Sequence, residues 1–225
     1  MTTGATGFKA TLIRLRQYYG PLPEPPADPF ILILLENVAY LAKGNRRQEA
    51  LQLLERTVGT EPEAILTAGD AQLRAVTAHG ILGDTFVEKL RECAAIAVDE
   101  FGGNLEAVVD RPLPEAKRAL RRFPGIGEPG AEKILLFSRR QPLLAPESNG
   151  LRVLTRLGVV REESSYAKTY AAARALGAEL GLSIPDLVIA HRLLHHHGQE
   201  LCRRSEPDCP ACPVRESCAF GRARR

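Results

Sequence analysis

Apolar residues recur along this chain at helical spacing. Phe8, Leu12 and Leu15 share one face of a segment running to Tyr19, which Gly20 stops. Pro21-Leu22-Pro23-Glu24-Pro25-Pro26 then reads as an extended, exposed linker that tethers this first helix separately. Phe30 to Leu35 is apolar all round and continues unbroken through Glu36-Asn37-Val38-Ala39-Tyr40-Leu41-Ala42, a length that favours a buried central helix over a strand. Arg47 to Val58 is amphipathic through Ala50, Leu51, Leu53 and Leu54. Shorter helices are expected over Pro62–Ala68 and Asp70–Ala78, with Asp70 as an N-cap. From Asp84 to Phe101 a longer helix puts Phe86, Leu90, Cys93, Ala94 and Ala97 on one face and closes at Gly102-Gly103, so Cys93 reads as core. Helices over Gly150–Leu157, Ser164–Leu180 and Ile184–His197 complete the pattern. Nothing alternates as a strand would and no repeat is evident, so the expected fold class is all-α, with ten or more helices.

The composition agrees. Of 225 residues 44% are hydrophobic, enough for a packed core, while aromatics are only 5% and favour helix over sheet. No stretch approaches the roughly 18 apolar residues of a membrane span, and the N-terminus has no basic-then-apolar leader, so no membrane and a cytoplasmic location are expected. The net charge of +3 does not by itself argue for nucleic acid. Positive residues nevertheless gather at Lys117, Arg118, Arg121 and Arg122, and in the tail at Arg222, Arg224 and Arg225, as either solvated faces or phosphate tracks.

Leu120-Arg121-Arg122-Phe123-Pro124-Gly125-Ile126-Gly127 lies between two helical patterns, the second beginning at Glu128. Pro124 ends the first helix, and the glycines permit conformations and approaches that a side chain blocks. The second helix then begins with exposed N–H groups at the positive end of its dipole, a place for a phosphate oxygen, with Arg121 and Arg122 adding charge. A plain turn between packed helices is the other reading. A phosphate contact of this kind recognises the backbone of a nucleic acid rather than its sequence.

Cys202, Cys209, Cys212 and Cys218 stand as C-x6-C-x2-C-x5-C within 17 residues, and only Cys93 lies elsewhere. Four thiols this close imply a metal centre. Structural zinc usually takes two close pairs, whereas one is present here, so an iron–sulfur cube suits the uneven spacing better. Arg203, Arg204 and Arg215 within the loop would be placed to touch phosphates. His195-His196-His197 point in different directions on a helix, so one ion could hardly use all three, and packing or phosphate contacts are expected of them.

Phe-Pro-Gly-Ile-Gly with Ala131 four residues beyond Gly127 resembles the helix–hairpin–helix element of DNA repair glycosylases. The cysteine pattern, preceded by His197-Gly198, resembles the [4Fe-4S] loop that closes endonuclease III and the adenine glycosylases. The chain thus resembles the endonuclease III superfamily from about Phe8 to Phe220. The resemblance implies two helical lobes, one over 28–144 with the hairpin motif at about 115–137, the other combining 1–27 with 145–225 and the cluster loop 202–218. It further implies a [4Fe-4S] cluster on Cys202, Cys209, Cys212 and Cys218, and DNA contacts from Gly125, Ile126, Gly127, Arg121 and Arg122. The partner would be double-stranded DNA carrying a lesion or mismatch, bound by a nucleoid-associated monomer.

Bifunctional members carry a lysine two residues after the second hairpin glycine, where this chain has Pro129; Lys133 is the nearest amine. The family's aspartate, in a Val-Asp-Thr-His stretch, corresponds to Pro146-Glu147-Ser148-Asn149 before Gly150-Leu151-Arg152-Val153, which keeps a carboxylate as Glu147. Glu147 is thus a candidate for catalysis or for capping the helix that follows. Glu36, Asn37 and Tyr40 align with the family's base pocket, either reading a flipped base or forming a satisfied buried network. Ile81 or Leu82 falls at the approximate place of an intercalating wedge. The expected activity is a monofunctional DNA N-glycosylase; the alternatives are a glycosylase and lyase using another amine, and a lesion-binding protein without chemistry.

Overall fold

The computed structural model describes residues 2–39, 42 and 45–223. Their helices are α1 (Thr2–Tyr19), α2 (Pro29–Asn37), α3 (Arg46–Thr57), α4 (Pro62–Thr67), α5 (Asp70–Thr77), α6 (Gly83–Phe101), α7 (Glu106–Val109), α8 (Leu113–Leu120), α9 (Glu128–Phe137), α10 (Ser148–Leu157), α11 (Tyr166–Leu180), α12 (Ile184–Glu200) and α13 (Ala219–Ala223). One 3₁₀ turn, Arg215–Ser217, is the remaining regular element, and no strand occurs among the described residues. The fold is all-α. The chain divides into two units, one formed by Pro26–Arg140 and the other by Met1–Pro25 with Gln141–Arg225.

In the continuous unit, Asp28 caps α2 by accepting from the Ile31 amide at 2.8 Å, and Pro29 occupies a first-turn position where its missing N–H costs nothing. Phe30, Leu32, Ile33 and Leu34 are buried against α3, α6 and α9. This helix stops at Asn37 rather than running to Ala42. The Asn37 amide reaches back to the Ile33 carbonyl at 3.1 Å and across to the Pro124 carbonyl at 3.0 Å, and Val38 and Ala39 form a bend. Tyr40 lies outside the described residues.

Asp70 does not cap α5. Gly69 is the cap residue, and the Gln72 side chain accepts from its N–H at 3.1 Å. Asp70 instead receives Arg91 of α6 at 2.6 Å, while the same guanidinium donates to the carbonyls of Leu66 and Ala68 at the C-terminal end of α4. Phe86, Leu90, Cys93, Ala94 and Ala97 form the buried face of α6, as their spacing predicts. Burial pushes the Cys93 thiol up to about 12, the behaviour of a core residue.

Lys117 of α8 joins the two helices of the hairpin. Its ammonium contacts Glu128 and lies 2.6 Å from Glu132, whose side chain is fully buried. In the other unit, Phe8 and Leu15 bury α1 against α11 and α12, and α10 packs most extensively on α12. The proline linker is not free, because Glu24 pairs with Arg192 of α12.

A carboxylate buried this deeply depends on its ammonium. Lys117→Met is expected to cost about 3–5 kcal/mol in urea unfolding, and adding Glu132→Leu to recover most of that loss. A double variant as unstable as the single one would show that the pair is not what joins α8 to α9.

Candidate functional site

The hairpin is built so that its turn is anchored and its outer edge is left open. Phe123 and Ile126 are buried, and the Ile126 amide donates to the Phe123 carbonyl at 3.2 Å. Ile126 is therefore a plug holding the turn, and its N–H is already used. Gly125 has φ +75°, and a Cβ there would meet Asn37 Oδ1 at 3.3 Å. Gly127 caps α9 with ordinary φ −86°, and a Cβ would meet nothing nearer than Pro129 Cδ at 3.9 Å. The fold requires glycine at 125; at 127 the backbone itself does not.

Gly127 has no side chain to close the start of α9, and among the described residues nothing accepts from the N–H groups of Gly127 or Gly130. The Ala131 amide makes the first intrahelical bond, to the Gly127 carbonyl. Pro129 has no N–H to offer. The result is a set of outward donors at the positive end of a ten-residue helix. Of the two nearby arginines, exposed Arg121 has no partner among the described residues. Arg122 instead forks onto Glu100 at 2.9 and 3.1 Å, a surface pair that a phosphate can displace at little cost.

Of the expected base-pocket residues, Glu36 and Asn37 are engaged with other groups of the chain. Asn37 is fully buried and spends its amide N–H groups on two carbonyls, so it holds the hairpin, while its Oδ1 is buried without a partner. Turning the amide over would set Oδ1 against those same carbonyls, which fixes its orientation. Glu36 pairs with Lys133 at 2.6 Å and lies 3.7 Å from Arg47. Lys133 is thus an ion-pair partner, not a free amine. Between α5 and α6, Ile81 and Leu82 are 52% and 61% exposed, and Leu82 holds φ +57°, a strained conformation for a branched side chain.

In the discontinuous unit, Glu147 caps α10. Its Oε2 accepts from the Asn149 amide at 2.9 Å and the Asn149 side chain at 3.1 Å, and Oε1 accepts from the Gly150 amide at 2.7 Å. His195 Nδ1 lies 3.0 Å from Oε1, sealed from solvent but not aligned as a full hydrogen bond. Burial alone would raise the Glu147 carboxyl, but His195 and the two backbone donors outweigh it and hold the group down at about 2. Glu147 is therefore ionised throughout the neutral range.

Two glycines bring these groups together. A Cβ on Gly150 would stand 3.4 Å from that of Leu194, and one on Gly198 would stand 2.8 Å from Asn149 Cβ. α10 and α12 therefore meet backbone to backbone. Arg152 locks the crossing by donating to Asn149 Oδ1 at 2.9 Å and to the carbonyls of Gly198 at 2.7 Å and Cys202 at 3.0 Å. The contact of His195 with Glu147 had no sequence signal beyond the histidine run itself, because the pairing depends on this crossing.

Beyond α12 the four clustered cysteines line one cavity with Val153, Leu157, Val214 and Phe220. All are free thiols. Arg156 approaches Cys202 Sγ at 3.5 Å, His197 Nε2 lies 3.7 Å from Cys212 Sγ, and the Gly221 amide lies 3.4 Å from Cys218 Sγ. Tyr19 of α1 bonds His197 Nδ1 at 2.9 Å. Among the described residues no group of three or more such side chains is drawn close enough to hold a single ion. A lone zinc would need its sulfurs about 3.8 Å apart. Four thiols around one apolar cavity, with Cys202 facing Arg156, Cys218 the Gly221 amide and Cys212 a His197 ring nitrogen, are a donor set that suits an iron–sulfur cluster.

A glycine hairpin opening a helix N-terminus, in an all-helical chain, defines a helix–hairpin–helix protein. No family model matches the sequence. The chain is 22% identical over 204 residues to endonuclease III of Thermotoga maritima, covering 91% of this chain and 89% of that one. It is 22% identical over 210 residues to a putative DNA repair glycosylase of Methanocaldococcus jannaschii, covering 91% and 92%. A trapped endonuclease III–DNA covalent intermediate superposes with TM-score 0.75 at 18% identity over 98% of both chains. The chain is thus similar in sequence to endonuclease III proteins and DNA repair glycosylases and shares the fold of endonuclease III.

The two hairpin glycines should separate in their effects. Gly125→Ala is expected to lose about 1–2 kcal/mol in thermal unfolding, from the positive φ and the Asn37 contact. Gly127→Ala should unfold within about 0.5 kcal/mol of wild type yet bind duplex DNA several-fold more weakly, because the methyl stands where a phosphate must approach. Unchanged DNA binding in Gly127→Ala would remove the hairpin from the interface.

Proposed function

We propose that the protein is a base-excision repair DNA N-glycosylase that takes a damaged or mismatched base out of double-stranded DNA and hydrolyses its N-glycosidic bond without cleaving the strand. The observation that carries this reading is Glu147, a partly exposed carboxylate fixed by three N–H donors and kept ionised. Breaking an N-glycosidic bond builds positive charge on the sugar. A preorganised anion beside that charge lowers the barrier without having to move, an effect worth about 10²–10³ in rate. Relatives named endonuclease III, DNA repair glycosylase and thymine-DNA glycosylase support the same reaction class.

Strand cleavage in this superfamily uses an amine that forms a Schiff base. Pro129 stands at that position, and Lys133, one turn on, is held by Glu36. An ammonium in an ion pair is a poor nucleophile, which favours hydrolysis over the lyase reaction. The open N–H groups of Gly127 and Gly130 grip one phosphate, with Arg121 and a displaced Arg122 adding charge. Ile81 and Leu82 supply an exposed apolar wedge for the space a flipped base leaves.

Cys202, Cys209, Cys212 and Cys218 hold a [4Fe-4S] cluster in this reading. When bound, the cluster supplies a rigid scaffold for the loop and a capacity for electron transfer. Arg152 and Arg156 fix the loop around it, Arg156 by donating to the carbonyls of Arg203 at 2.7 Å and Arg204 at 3.0 Å. The protein acts as a monomer among the chromosomal DNA.

The deciding experiment is base release from duplexes carrying oxidised, deaminated, alkylated or mismatched bases. Wild type should release one class, Glu147→Gln should lower the rate about 100-fold or more, and borohydride should trap no covalent complex on abasic DNA. Tight binding without release from any duplex would leave a lesion-binding protein, and efficient trapping would restore the lyase. Anaerobically purified protein should carry about four iron atoms per chain, and Cys212→Ala should lower that number and the stability together; a full complement of iron in Cys212→Ala would remove this residue from the ligand set.

A further inference from the structure

The carboxylate that stabilises a sugar cation is not suited to take the proton from the attacking water. Both oxygens of Glu147 already accept: Oε2 from two donors of Asn149, Oε1 from Gly150, with His195 Nδ1 close against Oε1. The Ser148 hydroxyl also lies 3.4 Å from Oε2, and the donors that fix the group make it a weak base. A monofunctional glycosylase built on Glu147 therefore needs a second group for the proton.

We propose that His195 is that group: its Nε2 accepts the proton of the attacking water, while Glu147 faces Nδ1 and fixes the tautomer. This inference rests on the glycosylase reading of the site. The side chain of His195 is 39% exposed, its Nδ1 is shut off from solvent with Glu147 Oε1 3.0 Å away, and Nε2 has no partner among the described residues. A carboxylate facing Nδ1 places the ring proton there and leaves the Nε2 lone pair bare, the arrangement by which a carboxylate orients a catalytic imidazole. The imperfect alignment at Nδ1 is what a site without substrate commonly shows before it closes.

The proton transfer balances without any further reagent. The bond from the sugar C1′ to the base nitrogen breaks, and its electron pair leaves with the base. Water oxygen bonds C1′ on the face left open, and its proton passes to His195 Nε2. From there the proton is available to the departed base, so no oxidant, reductant or metal takes part. Glu147 offsets two positive charges in turn, the one on the sugar and the one on the imidazole.

The surroundings of His195 are as defined as the pair itself. His191, one turn earlier on α12, stacks on it at 6.5 Å with ring planes 11° apart, and is itself fixed by the Ala145 carbonyl at 2.8 Å from Nδ1. Glu147 faces it from α10, and Tyr166 of α11 lies near enough to Glu147 for the carboxylate to raise the phenol after burial has done so. His196 turns away towards Tyr19, with ring centroids 4.7 Å apart. Glu147 is thus the one carboxylate among these groups.

The test uses the full-length, cluster-loaded protein, a duplex that the wild type processes, and His195→Gln. Single-turnover base release by wild type should rise with pH through one ionisation and then level off. His195→Gln should be about 10²–10³-fold slower, should lose that rising limb, and should bind abasic DNA as wild type does. A rate within threefold of wild type, or the same limb in His195→Gln, would overturn the proposal. The pairing is also read without turnover, from the ¹⁵N spectrum of the His195 ring in wild type and Glu147→Gln. Wild type should show the Nδ1–H tautomer and Glu147→Gln a mixture; an Nε2–H tautomer in wild type would overturn the proposal. Failure of every duplex to release a base would refute the glycosylase reading instead, and the ring spectrum would still decide the pairing.

Discussion

Every α-helix begins with N–H groups that its own backbone cannot satisfy, and a chain made of helices must dispose of them many times over. Three starts are closed by a side chain in the ordinary way, as Asp28, Ser165 and Ser183 accept from the first turns of α2, α11 and α12, whereas α3, α4, α6 and α8, like α9, have no capping side chain. Two starts carry the proposed site. At α9 the cap is Gly127, which has nothing to close the turn with, so the donors remain for an outside anion. At α10 the cap is Glu147, which closes the turn and becomes an ionised carboxylate by doing so. The same backbone constraint leaves open donors in one unit and holds a carboxylate in the other.

Capping and catalysis are often posed as rival explanations for a residue such as Glu147. The hydrogen bonds that make it a cap are the ones that lower its pKa, aim its oxygens and leave it charged at neutral pH. A group held in that way needs no rearrangement to meet a developing positive charge, and for the same reason has little basicity to offer. The division of labour with His195 follows from that property. The side chain of Glu147 is long enough to fold back onto the amides of Asn149 and Gly150.

The buried polar groups around the hairpin are structural in the strict sense. Asn37 and Lys117 spend their donors on Pro124 and on Glu128 and Glu132, and each ties a helix to the turn that carries the open amides. Lys117 and its carboxylates satisfy one another, whereas Asn37 Oδ1 is left buried without a partner. Lys133 belongs with them, since its pairing with Glu36 removes the amine that strand cleavage would require.

Local physics was legible from the sequence wherever it alone decides: the 3.6-residue period, the glycine and proline stops, the buried face of α6, the hairpin with its Gly-Ile-Gly turn, and the cysteine spacing. A glycine hairpin and four close thiols are bound to short stretches of chain, so their meaning survives without a fold. The end of α2 was not legible, because it depends on Asn37 bonding a carbonyl 87 residues away. Nor was the pairing of Arg122 with Glu100 or of Lys133 with Glu36, since charge patterns do not say which opposite charge will be adjacent. The contact of His195 with Glu147 lay furthest from view. It exists because Gly150 and Gly198 let α10 and α12 meet without side chains between them, and only the packed structure brings those glycines to one crossing.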